Sequence, residues 1–285
     1  MSTALVALAA LFWGLSGGIG GILLAAGWQA PVVAFYRGAI GLLFVLVWFL
    51  LRPGNRELLN RRLWFWSVMA GIGIAGNFGF YFLSISRGSV AVAATLMYCA
   101  PVFVYLVSFL LKLERPRPFK WVAMGLVMVG VVLLTRVYQV GAEGVSVIAA
   151  VAGLLSGLSY ALFIFGLKFA APHGSPQGIL VIAFSVLVVL LLGPADGGEI
   201  VSVLGSASWF LFAALGVLGA GVSFIFYVVG LRRTAPAIAS LLAMVEPVTA
   251  SLFGVLVLDE RLLTLQVIGM ALILVTVTGL SVTSK

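Results

Sequence analysis

The sequence predicts an all-α membrane protein: ten transmembrane helices in two inverted five-helix repeats, with N- and C-termini cytoplasmic. Three observations carry this reading. First, 63% of the 285 residues are hydrophobic and only 8% are charged, against about 25% charged in soluble domains. So few polar groups cannot cover a compact surface in water. A soluble enzyme, a disordered chain and a nucleic-acid binder are therefore excluded, in spite of a net charge of +8. Second, the 16 basic and 8 acidic residues separate uncharged runs of about the 20 residues that a helix needs to cross ~30 Å of hydrocarbon. Third, the second half of the chain repeats the first.

The elements follow in order from the charges that bound them. The uncharged run from Met1 to Tyr36 holds a helix near 3–25, a turn at Gly27–Pro31 and the start of a second helix, 31–51, which carries Arg37. The first helix has no basic segment before it, and its apolar run exceeds the ~7–15 residues of a cleaved leader, so it is expected to remain as a span. Arg61-Arg62 and Arg87 bracket the third helix, 64–86. The fourth, 89–111, ends at Lys112, and the fifth, 118–135, starts on Pro118 and Lys120. The sixth, 145–167, stops at Lys168; the seventh, 176–193, lies between Pro176 and Pro194. The eighth, 208–231, ends at Arg232-Arg233, the ninth, 235–257, encloses Glu246, and the tenth, 262–283, follows Arg261. Runs this long and uniformly apolar suit helices, not the alternating strands of a barrel.

Ten spans of about 20 residues leave only short loops. No GxxxxGK[ST] phosphate loop occurs, so ATP hydrolysis within this chain is not expected. The single cysteine, Cys99, excludes a disulfide scaffold and a Cys-rich metal site, and no cofactor or metal is expected. Cys99 reads as a small apolar core residue, and His173 as a solvated loop histidine.

Basic residues concentrate in cytoplasmic loops. With the N-terminus inside, that side holds Arg52, Arg56, Arg61, Arg62, Lys112, Arg115, Arg117, Lys120, Lys168, Arg232, Arg233 and Lys285. The other side holds Arg87, Arg136 and Arg261. The excess basic charge is therefore a topology signal. Trp48, Trp64, Trp66 and Trp121 fall at the inner interface and Trp28 and Trp209 at the outer one, as interfacial aromatics should; Trp13 alone lies mid-span.

Shifted by 146 residues, segment 80–115 matches segment 226–261 at 12 of 36 positions without a gap. The matches include Phe80/Phe226, Tyr81/Tyr227, Arg87/Arg233, Pro101/Pro247, Glu114/Glu260 and Arg115/Arg261. Biased composition inflates Leu and Ala matches but does not place Pro, Glu and Arg in register. The repeats are about 1–140 and 145–285. Each holds five spans, an odd number, so the second enters the membrane from the opposite side. Inverted repeats characterise secondary transporters, with the site at the midplane between halves. Eight of ten prolines lie in loops or at helix ends; only the equivalent pair Pro101 and Pro247 lies mid-span. Each removes a helix hydrogen bond and frees a carbonyl near Met97 or Ala243. They serve as simple packing bends or as paired kinks at gates.

Trp13-Gly14, Phe35-Tyr36-Arg37, Ala100-Pro101-Val102, Leu113-Glu114-Arg115, Glu246-Pro247-Val248 and Asp259-Glu260-Arg261 together resemble the drug/metabolite transporter superfamily, in its EamA-type ten-helix form. The resemblance covers essentially the whole chain and is nearest to the aromatic amino acid exporter branch. It implies a central cavity lined by helices 1, 3, 4, 6, 8 and 9, a peripheral helix 2, and export of amino acids or related small metabolites across a bacterial inner (cell) membrane. The expected partners are such a substrate and the lipid bilayer, not nucleic acid, and a monomer is the expected unit.

Glu246 is the one acid inside a span, about 16 Å deep at 1.5 Å per residue. Such acids are costly and usually functional. It can pair the amino group of a zwitterion, carry a proton, or tie helix 9 to a neighbour. Arg37, the one base in a span, can snorkel outward, bond helix ends or meet a carboxylate, and the structural roles are favoured. Trp13, Ser16, Asn77, Tyr81, Tyr98, Ser159, Tyr160 and Tyr227 complete a candidate wall that is aromatic and weakly polar, each also readable as ordinary helix contact. That wall suits neutral or zwitterionic amphiphiles and organic cations. Sugar phosphates would need Lys or Arg clusters in the membrane, and there are none. An intramembrane enzyme would need clustered His, Asp or a Ser–His pair; a channel would need carbonyl or charged rings; a lipid-handling protein would have only Arg37 and Glu246 for a head group. Gly17/Gly21 and Gly153/Gly157 read as small-xxx-small packing pairs.

Overall fold

In hydrocarbon a backbone N–H or C=O must find its partner within its own segment, and every regular element among the described residues is helical. The computed structural model describes residues 2–51, 56–113, 117–141 and 146–283. Arg52, Glu114, Arg115 and Lys285, named above for motifs and charge, lie outside the described residues.

The helices are α1 (Ser2–Ala25), α2 (Ala30–Leu50), α3 (Arg61–Arg87), α4 (Val90–Met97), α5 (Ala100–Leu110), α6 (Pro118–Thr135) and α7 (Val147–Ala170). They continue as α8 (Pro176–Leu192), α9 (Gly197–Leu204), α10 (Trp209–Gly216), a π-helical segment (Val217–Val222), α11 (Ser223–Leu231), α12 (Pro236–Leu242), α13 (Val245–Val257) and α14 (Thr264–Thr283). Most bounds follow the charges. Arg87 sits in the last turn of α3, Lys168 in the last turn of α7, and Pro31, Pro118, Pro176 and Pro236 in the first turns of α2, α6, α8 and α12, where a missing N–H costs nothing.

Four spans depart from the simple reading. The fourth and ninth are each two helices, α4–α5 and α12–α13, broken at Tyr98–Cys99 and at Ala243–Met244. Pro101 and Pro247 stand in the first turn after each break, so they start a helix instead of bending one. The carbonyl expected to be free at Ala243 is not: it accepts from Glu246 N at 2.9 Å. The eighth span carries the π-helical segment between α10 and α11. The seventh span, α8, is 17 residues long and meets α9 at an angle of 118°. With the two broken spans each counted once, nine helices among the described residues are long and apolar enough to cross a membrane, or ten with this bent pair.

Helix α9 fell in a loop of the sequence reading. Asp196 caps it by accepting from Glu199 N at 2.8 Å, and it lies against the α1–α2 turn. Gln29 N donates to Glu199 at 2.7 Å, and the Tyr36 hydroxyl donates to the Ile200 carbonyl at 2.6 Å.

The outer faces are covered with exposed Leu, Val, Ile and Phe, such as Leu43, Val47, Phe109, Val151 and Val275. A helix apolar all round belongs in lipid. Trp64, Trp121 and Trp209 are exposed near helix ends, as interfacial aromatics are.

The helix contacts come in matching pairs. α3 packs on α7 as α11 packs on α1; the fourth span, α4–α5, packs on α7 as the ninth, α12–α13, packs on α1; α3 meets α8 as α10 and the π segment meet α2. α6 with α14, α2 with α8, and α5 with α12 join corresponding spans. Glycines set the closest approaches. A Cβ at Gly73 would lie 2.5 Å from Phe163 N, and one at Gly166 would lie 2.6 Å from Ala70 N, so α3 and α7 touch backbone to backbone. Gly153 and Gly157 fit the packing expectation, against Leu96. Gly17 and Gly21 do not. A Cβ at Gly21 would meet nothing within 4 Å, because both face open space.

Candidate functional site

That open space is a cavity of about 450 Å³ bounded by spans 1, 2, 3, 4, 6, 8 and 9. Its volume is in the range of small-molecule sites, about 300–1,000 Å³. It runs from the middle of the bundle to the end that bears the Gly27 and Gly88 turns. Leu24 and Val90 line it there and are exposed.

The opposite end is closed. Val6, Ala9 and Ala10 are fully buried there, and so are Tyr227 and Leu231. A Cβ at Gly230 would lie 2.7 Å from the Ser2 carbonyl, so the start of α1 and the end of α11 are in contact. Lys168 adds a polar clamp. Its ammonium donates to the carbonyls of Leu231 at 2.8 Å, Arg232 at 3.2 Å and Thr234 at 2.8 Å. A cation at a helix C-terminus satisfies carbonyls that no later turn can reach.

Glu246 projects into the cavity from the first turn of α13. The break in span 9 puts that helix start at mid-bundle, and a carboxylate is favoured near the positive end of a helix dipole. Gly14 lets α1 lie against this turn: a Cβ there would be 2.5 Å from the Glu246 carbonyl and 2.6 Å from Thr249 Cβ. Trp13-Gly14 thus places an indole in the cavity wall beside the acid. Trp13 is 3% exposed and sits among Tyr160, Phe163, Phe224 and Tyr227, with ring centroids 4.8–6.4 Å away. Its indole N–H has no hydrogen-bond partner among the described residues, and the hydroxyl of Tyr160 faces Glu246. An unpaired N–H on a wall otherwise made of rings is a donor open to a ligand.

Seven of the nine sequence-predicted wall residues come together here: Trp13, Ser16, Asn77, Tyr81, Tyr98, Tyr160 and Glu246. Two have further structural bonds. Asn77 donates to the carbonyl and hydroxyl of Ser156, both at 3.1 Å, and Ser16 donates to the Trp13 carbonyl at 2.8 Å. Ser159 and Tyr227 are not in the lining. Ser159 lies against Gly76 in the α3–α7 contact, and Tyr227 is buried beneath Trp13 on the closed side. Pro101 and Pro247 stand behind the wall at the helix breaks.

Helix 2, expected at the periphery, contributes Val33, Ala34 and Arg37 to the lining. Arg37 Nε and Nη2 donate to the Gly219 carbonyl at 3.2 and 3.0 Å, and the guanidinium lies 5.0 Å from the Phe78 ring centroid. Gly219 belongs to the π-helical segment, and such segments present backbone groups to functional sites. The sequence signal for Arg37 was its charge. Its place in the wall depends on how α2 meets the eighth span, which the charge does not reveal.

A bundle of apolar helices around a cavity that is open at one end, closed at the other and carries one acid and one base defines a multi-pass membrane transporter. The chain belongs to the EamA-like transporter family, whose profile matches residues 1–136 and again 147–282. It is 32% identical to an uncharacterized transporter of Archaeoglobus fulgidus, over 85% of this chain and 83% of that one. It is 25% identical to the threonine/homoserine exporter RhtA of Escherichia coli K12, over 90% of this chain and 83% of that one. A protein of known crystal structure shares the fold with a TM-score of 0.77 at 19% identity, covering 98% of this chain and 96% of the other. The resemblance read from the motifs and the transporter reading over the enzyme both agree with these matches.

Proposed function

We propose that the protein exports small amphiphilic metabolites, neutral amino acids foremost, including aromatic ones, by alternating access between two inverted repeats, about 1–140 and 145–285. The observation that carries this is the cavity itself: mid-bundle, lined by rings and a few polar tips, and reaching only one end. The paired helix contacts support the inverted repeats. So does a detail at the two ends. The end of α11 meets the start of α1 at the Lys168 end, and the end of α3 meets the start of α7 at the Gly27 end, where Ser84 donates to the Ala149 carbonyl at 2.7 Å. With the basic loops on the cytoplasmic side, both termini are inside. The open end then faces outward, and this is the outward-open state of a monomer in a bacterial inner membrane. The amino acid exporter RhtA among the relatives supports the substrate class.

Drug-type efflux of organic cations was the alternative raised by a lone acid in the wall. Arg37 in the same wall weakens it, because a second positive charge in a low-dielectric cavity repels a cation. The test is transport into liposomes holding the purified protein, with labelled amino acids, sugars and an organic cation, each with and without an imposed pH gradient. Saturable movement of neutral amino acids is expected; movement of the cation alone would overturn the assignment.

A further inference from the structure

The cavity holds two ionisable groups of opposite sign that do not bond to each other. Glu246 on α13 and Arg37 on α2 both line the cavity, yet no ion pair joins them among the described residues. A buried charge without a partner is expensive, so a wall that keeps both apart leaves room for something between them. Arg37 is fixed in place meanwhile. The Gly219 carbonyl takes Nε and one Nη2 hydrogen, and the Phe78 ring lies beside the guanidinium. Of the five N–H donors of a guanidinium, those on Nη1 have no hydrogen-bond partner among the described residues. Gly219 permits the approach: a Cβ there would lie 2.5 Å from Ser16 Oγ and 3.0 Å from Arg37 Nε. On the other side, the Tyr160 hydroxyl is buried beside Glu246, and the buried Trp13 indole N–H has no hydrogen-bond partner among the described residues.

We infer that Arg37 is a specificity-determining residue: it binds the carboxylate of an α-amino acid whose ammonium group is held by Glu246. The site is thus a two-point zwitterion site, with the substrate side chain against the rings of Trp13, Tyr160 and Phe163. This deepens the proposed export of amino acids and rests on it. Arg suits the role because its planar fork takes a carboxylate in two parallel bonds. A zwitterion fits where a simple amine or acid does not, since either one leaves one wall charge unpaired.

Counterflow of labelled L-threonine and L-phenylalanine in liposomes bearing the full-length protein tests this, with each amino acid's C-terminal amide and N-acetyl derivative as competitors. A hydrogen bond to a charged group contributes enough that its loss weakens binding roughly tenfold or more. In the wild type, both derivatives should compete at least about tenfold less well than the parent. Arg37→Gln should lower amino acid affinity to the level of the amide while moving the amide itself little. Arg37→Lys, which keeps the charge and loses the fork, should fall between and covers the case in which Arg37→Gln does not fold. Amides that compete as well as the parent amino acids, or an Arg37→Gln loss equal for both, would overturn the role of Arg37 and leave amino acid export standing. No transport of either amino acid by the wild type would sink the export reading and this inference with it.

Discussion

At the scale of single residues, the site divides into groups that chemistry singled out in advance and groups that only packing places. Glu246 stood out because an acid is costly at membrane depth and the other spans carry none. Glu246→Gln should reduce transport at least tenfold while the folded yield by size-exclusion chromatography stays near wild type, since Gln keeps the shape and the Gly14 contact is to backbone. Full activity in that variant would remove Glu246 from substrate or proton handling. Arg37 was equally visible as a charge, but its destination depends on the Gly219 carbonyl across the α2–π contact, which no local pattern encodes. Gly17 and Gly21 show the reverse error. Their spacing resembles a packing pair, yet they keep the cavity open. Gly21→Leu fills empty space, so transport should fall sharply with thermal stability unchanged; a large loss of stability would mean that the glycine packs after all.

At the scale of elements, helix ends were legible because lipid forbids charge in the span and forces it to the boundary. Arg87, Lys168 and Pro118 mark their helices closely. The breaks in spans 4 and 9 were legible only as prolines, and their form, a helix end followed by a new start, depends on how Tyr98–Cys99 and Ala243–Met244 turn. Helix α9 was missed because its polar ends and eight residues read as loop; its seat is made by Gln29 and Tyr36, remote in sequence. Two predictions belong here. Gly14→Ala drives a methyl into the backbone at Glu246, and overpacking of this kind costs about 1–3 kcal/mol; the melting temperature should drop, and an unchanged value would contradict the α1–α13 contact. Lys168→Met removes the clamp on Leu231, Arg232 and Thr234. In a Cys99→Ser background, a cysteine at Ala10 should then react faster with a thiol reagent applied from the Lys168 side, and an unchanged rate would show that the apolar contacts alone seal that end.

At the scale of the molecule, a duplicated sequence encloses a cavity that is not duplicated. Tyr81 and Tyr227 are equivalent in the repeat, yet Tyr81 lines the cavity while Tyr227 is buried on the closed side, its hydroxyl unpaired among the described residues. The proposed alternating access accounts for the difference: if the halves rock, the roles of the two tyrosines exchange. The most direct test measures both faces of one protein: exchange of labelled threonine or phenylalanine across liposomes, together with the accessibility of single cysteines at Ile85, at the open end, and Ala10, at the closed end. The account predicts saturable exchange accelerated by substrate on the far side, with Ile85 becoming less reactive and Ala10 more reactive as substrate is added. Both positions reactive at once, or neither responding to substrate while transport proceeds, would contradict it.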